Sequence, residues 1–143
     1  MATGVLEPRG VVVAAAATVV KDERRRSRPN GEAVAALLAA MLGMLTLALV
    51  NQLTAMSAGV NAWVHSIGKL WMPGAQGIGP YSGKETLALV AWIVGWAVLH
   101  PALRRREMSL SRWLIVFLLG VGIATTFIWP PVFEHVAGYF AGH

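Results

Sequence analysis

The 143-residue sequence contains no cysteine, which excludes disulfides, thiol nucleophiles and thiolate metal sites. Charge is also scarce. Only 13% of the residues are Asp, Glu, Lys or Arg and 56% are hydrophobic, whereas a soluble domain carries roughly 25% charged and 45–50% apolar residues. A water-facing fold of this size needs more charge on its surface. Where the charge is missing matters more than its average. No Asp, Glu, Lys or Arg occurs from Ala33 to Gly68, from Thr86 to Leu103, or from Trp113 to Phe133. Transporters, pumps and channels usually keep an ionisable group at membrane depth, so autonomous transport is disfavoured. Catalysis is disfavoured as well, because no acid–base pair or activated nucleophile is evident.

What the sequence does hold is three apolar blocks. The first, "AVAALLAAMLGMLTLALV", starts after Pro29-Asn30-Gly31-Glu32 and runs on to about residue 53. The second, "GKETLALVAWIVGWAVLH", covers about 83–100 and ends at Pro101. The third, "WLIVFLLGVGIATTFIW", covers 113–129, has tryptophan at both ends and stops at Pro130-Pro131. Helices of this length cross, or nearly cross, a hydrocarbon layer of roughly 30 Å. The expected fold is an all-α integral membrane protein with three transmembrane helices.

Between the first two spans, residues 52–82 have a different character. Leu53, Met56, Val60, Val64, Ile67 and Trp71 recur at spacings of three and four, with Gln52, Thr54, Asn61, His65 and Lys69 between them. That periodicity predicts an amphipathic helix, continuing the first span or bending along the interface with Trp63 and Trp71 at headgroup level. "MPGAQGIGP" then ends it.

Ten of the twelve basic residues flank the spans, six from Arg9 to Arg28 and four from Arg104 to Arg112. Such placement reads as a topology signal and an anionic-lipid contact rather than a nucleic-acid surface. Both clusters belong on the cytoplasmic side. The expected arrangement is N-terminus in and C-terminus out, with the amphipathic segment extracytoplasmic, in a plasma membrane. Residues 1–31 form a basic cytoplasmic segment, 32–130 the membrane domain and 131–143 an outer tail, with Phe133, Tyr139 and Phe140 on its apolar side. The patch "VVVAAAATVV" is about half a bilayer span. Charges follow it where a signal peptide needs small residues, so it is not read as one.

"GIGPYSGKET" imitates a phosphate-binding loop, yet Ile78 stands at the leading glycine position and Glu85 follows Lys84 where Ser or Thr is needed. No nucleotide partner follows from it. The expected role is a capping box, with Ser82 as the helix N-cap and Glu85 three positions on.

Small-xxx-small pairs mark candidate packing faces: Ala35, Ala39 and Gly43, then Ala91 and Gly95, then Gly120 and Ala124. Thr46, Thr125 and Thr126, the deep polar groups, are expected to bond to their own helix carbonyls. Trp92, Trp96 and His100 share one stripe and form a candidate haem or quinone contact. The plainer reading is packed tryptophans and an interfacial histidine. His65, Glu134, His135 and His143 are metal-capable groups suited to copper or zinc, but no H-x-x-x-H pair sets two ligands on one helix face.

These features point to a small accessory or structural subunit of a membrane complex, partnered by lipid and by copies of itself or a larger membrane protein. The alternative is a redox subunit binding haem, quinone or copper through His100 or the outer histidines. A lipid-sensing amphipathic segment is a third option.

Overall fold

The computed structural model describes residues 18, 19, 29–72, 74 and 79–141. Most of the basic N-terminal segment, with its "VVVAAAATVV" patch, and His143 lie outside the described residues. Among the described residues from 29 onward, five helices follow in order: α1 (Gly31–Met56), α2 (Ala58–Lys69), α3 (Tyr81–Leu103), α4 (Leu110–Ile128) and α5 (Pro130–Ala141). Three of them, α1, α3 and α4, are long and apolar enough to cross a membrane. At 1.5 Å per residue they measure about 39, 34 and 28 Å, against a hydrocarbon layer of about 30 Å.

The ends of these helices have local causes. The Ala- and Leu-rich run of α1 favours helix throughout, and Glu32 in its first turn sits at the positive end of the dipole. The run ends at Ser57, whose backbone is extended (φ −138°, ψ 118°). Ser57 N–H still donates to Leu53 O at 3.1 Å, while Ser57 Oγ accepts from Val60 N at 3.4 Å and caps α2. The segment expected as a single amphipathic helix is thus divided at Ser57, and residues 51–56 belong to α1.

Two further boundaries differ from the sequence reading. The second span continues through Pro101 to Leu103 instead of ending at the proline. Proline lacks only its own N–H, and its fixed φ suits a helix. The turn after it closes normally, with Arg104 N–H donating to His100 O at 2.9 Å. At the other end, Ser82 is not the N-cap. The helix begins at Tyr81 after Pro80, with no side-chain capping bond. Gly79, at φ +67°, makes the turn that leads in, a backbone conformation glycine adopts without strain. The prolines at 130 and 131 do end α4, and they open α5, where a missing N–H costs little.

α1 is the centre of the fold. It packs along both α3 and α4, which barely touch each other. The reason lies in its angular pattern. A Cβ placed on Gly43 would meet Trp92 Cβ at 3.0 Å and Ala88 O at 3.2 Å, both in α3. Gly95 of α3 faces Leu42 Cδ1 and Ala39 in turn. Met41, two residues from both Ala39 and Gly43, lies against Gly120 of α4. Two residues are about 200° apart around a helix, so α3 and α4 occupy opposite flanks of α1. The contacts also give direction. Residues 39, 43 and 51 of α1 meet 95, 92 and 84 of α3, which is antiparallel; 41 and 52 meet 120 and 127 of α4, which is parallel. The start of α1 and the end of α4 therefore lie at opposite ends of the row.

Candidate functional site

The apolar middle of the row gives way at one end to a polar corner where α1, α2 and α3 converge. Ser82 and Gly83 are the buried residues of α3, and Val64 and Gly68 those of α2. They interlock. A Cβ on Gly83 would collide with the Val64 carbonyl, and one on Gly68 with Ser82. This backbone-to-backbone approach explains why position 82 is not a cap: its side chain is used to fill the crossing. Ser82 Oγ is buried and makes no hydrogen bond among the described residues, and Glu85 is exposed.

Beside the crossing, Lys84 Nζ donates to Asn51 Oδ1 at 2.8 Å and lies 5.3 Å from the centre of the Tyr81 ring, within cation–π range. Asn61 Nδ2 donates to Thr54 O at 3.4 Å, and Thr54 Oγ1 to Asn51 O at 2.9 Å. These side chains line a cavity of about 460 Å³, closed on its apolar side by Ile128 and Pro130. Next to it, Gln52 ties α1 to α4, its Nε2 donating to Phe127 O at 2.8 Å. That carbonyl belongs to the last turn of α4, where no intrahelical partner exists. Trp71 docks the end of the α2 segment by donating from Nε1 to Thr86 Oγ1 at 2.9 Å, while Trp63 stays exposed.

A second concavity, about 400 Å³, runs along the membrane-length part of α1 and α3. Ala40, Met44 and Leu47 form one wall, Ala88 and Leu89 the other, with Trp92 at one end and Glu85 at the opposite end. It is an apolar groove open to the surroundings.

The chain matches no family model, no curated protein and no solved structure.

The residues singled out in the sequence fall as follows. Ala35, Ala39, Gly43, Gly120 and Ala124 are buried, Gly43 and Gly95 at the α1–α3 contact and Gly120 at the α1–α4 contact. Ala91 is half-buried. The threonines bond back to their own helices, Thr46 to Leu42 O, Thr125 to Val121 O and Thr126 to Gly122 O, each at 2.8 Å. Trp96 and His100 stack with ring centres 5.1 Å apart. Trp92 and Trp96 are each about half exposed on α3, and the described residues bring no second histidine beside His100. Glu134 and His135 are exposed on α5, whereas His65 sits on α2 with its Nδ1 buried and unbonded. Among the described residues no group of three metal-capable side chains assembles.

The polar corner itself escaped the sequence reading. Its signal was present: Asn51-Gln52 closes one apolar run and Lys84 opens the next. Two consecutive antiparallel spans necessarily bring those positions side by side.

Proposed function

We propose that this chain is a multi-span protein of a plasma membrane, acting as an accessory or structural subunit that binds an apolar helix of a larger membrane protein. On this reading the N-terminus is cytoplasmic and the C-terminus outside. The basic residues Arg104–Arg106 and the start of α1 share one end of the row: a Cβ on Gly31 would meet the carbonyls of Leu103 and Arg106. The run from Lys21 to Arg28 precedes that same helix start in the sequence. Arg104–Arg106 thus lie at the end of the row where α1 begins, and the sequence preceding α1 is basic too, which supports placing that end in the cytoplasm.

The observation that carries the subunit reading is the groove between α1 and α3. Tryptophan is enriched at the two membrane–water interfaces, yet Trp92 stands midway along α3, half exposed, at one end of an apolar trough. Small residues at Ala40 and Ala88 let another helix approach closely, and close approach is what drives helix association in lipid. Apart from Glu85 at one end its lining carries no charge, so the groove offers packing rather than chemistry.

The test is extraction of the tagged full chain in mild detergent and identification of what co-purifies. A stoichiometric membrane polypeptide is expected with the wild type. Ala40→Phe, which fills the groove, should release it while the helical circular dichroism stays unchanged. Recovery of a bare monomer, or of undiminished partner with Ala40→Phe, would remove the basis for this reading. The same preparation tests the redox alternative: a Soret band or stoichiometric copper lost in His100→Ala or His65→Ala would replace the subunit reading. A reporter fused after His143 is expected to be active outside the cell.

A further inference from the structure

The polar cavity at the α1–α2–α3 corner holds a charge that the described structure leaves uncompensated. Lys84 is the only basic residue between Lys69 and His100. It is half-buried, and its one hydrogen-bonding partner among the described residues is the neutral Asn51 oxygen. An ammonium has three donors, so two remain. No acidic side chain lines the cavity, and Glu85, next in sequence, lines the groove instead. A cation partly withdrawn from water without a counter-charge gains from an anion that pairs with it.

The rest of the wall suits an anion. Asn51 presents its oxygen to Lys84, which leaves its amide N–H groups without a partner among the described residues. Asn61 contributes a second carboxamide through a long, weak bond of 3.4 Å. The cavity adjoins the first turn of α3, where the helix dipole is positive. Its far wall, Ile128 and Pro130, is apolar, so the space is amphipathic, with a cation and amides on one side and hydrocarbon on the other. It lies where the second candidate span begins, beside the end of the third. Lysine binds phosphate as a point charge and tolerates varied geometry.

We propose that this cavity is a phosphate site, with Lys84 as its cation and Asn51 and Asn61 as amide donors, taking a phosphate oxyanion either free or as the headgroup of an anionic lipid. The site does not depend on the groove or on any partner protein.

The test uses the full chain purified in neutral maltoside detergent. Phosphatidylglycerol binding is followed by native mass spectrometry, and inorganic phosphate binding by thermal shift. Saturable binding of at least one is expected. Response to the lipid alone identifies a headgroup site, and response to phosphate as well identifies a site open to the free anion. Lys84→Gln should weaken binding by about tenfold or more, the scale of a lost charge-assisted hydrogen bond. Lys84→Arg should retain it, and Val98→Ala, on the exposed face of α3 away from the cavity, should leave it unchanged. If Lys84→Gln does not fold, Asn61→Leu decides, since it replaces an amide donor by hydrocarbon and keeps the charge: loss of binding supports the site. Absence of binding by either ligand, or undiminished binding in Lys84→Gln or in a folded Asn61→Leu, would overturn the proposal.

Discussion

The two ends of α3 are held in different ways. At its start, Ser82 and Gly83 are buried under α2, Lys84 bonds to Asn51 and Thr86 receives the Trp71 indole. From Glu85 to Leu103 no residue of α3 is buried, although Gly95 and Trp92 touch α1. The start is therefore fixed by backbone contacts and hydrogen bonds that tolerate little displacement. The remainder rests on a line of small residues along α1 and on the close approach of Gly31 to the Leu103 carbonyl, with its outer face exposed. Membrane helices gain little from hydrophobic burial against each other, so specificity has to come from places where shape or polarity leaves no alternative. In this protein the hydrogen-bonded ones are concentrated at the start of α3.

That contrast predicts an ordering of substitutions. The largest effect is expected at Gly83. A side chain there meets the Val64 backbone, which has nowhere to go, so Gly83→Val should cost about 3 kcal/mol, the upper part of the usual overpacking range. Chemical unfolding in detergent, followed by circular dichroism, reads this directly. A wild-type midpoint would mean that α2 is not seated on α3. Gly43→Leu comes next, at about 2 kcal/mol, because its neighbours are Trp92 Cβ and the Ala88 carbonyl. Gly120→Leu should cost less, about 1 kcal/mol, since the group in its way is the flexible end of Met41. Equal losses at Gly43 and Gly120 would show that α1 grips both flanks alike.

Gln52→Ala tests the polar end from its α4 side. It removes the one side-chain bond between α1 and α4 among the described residues and bares the Phe127 carbonyl. Interhelical hydrogen bonds in membranes average about 0.6 and reach about 1.7 kcal/mol. A loss of about 1 kcal/mol in the same unfolding assay is expected. No measurable change would place that carbonyl in contact with water.

Much of this architecture can be read from the chain, and the parts that cannot share a cause. The three spans follow from runs without charge, and Ala39, Gly43 and Gly120 from spacing, because both signals lie within a single helix. The break at Ser57 was hidden because serine interrupts a periodic pattern no more than alanine does. Its capping of α2 depends on a chain direction that only packing against α3 sets. Ser82 carries every local mark of an N-cap, yet the tertiary contact with Gly68 outweighs that preference. The Lys84–Asn51 and Gln52–Phe127 bonds join residues 33 and 75 positions apart. They emerge once α1 is placed between its two neighbours.

The smallest expected effect is the most discriminating for the outer faces. Ile115, Leu118 and Leu119 lie on the side of α4 turned away from α1, and Leu119 is 63% exposed. In a detergent-solubilised monomer Leu119→Ala exchanges one lipid-like contact for another, so unfolding should shift by less than about 0.5 kcal/mol, as for other surface substitutions. The exposed stretch of α3 gives the matching control in Val98→Ala, 62% exposed on the opposite flank. If Leu119→Ala alone destabilises the protein, and does so more at high protein concentration, then α4 is covered by a second copy of this chain. The loosely held side of the row would then be an assembly face, and the contrast between the two ends of α3 would hold only for the isolated subunit.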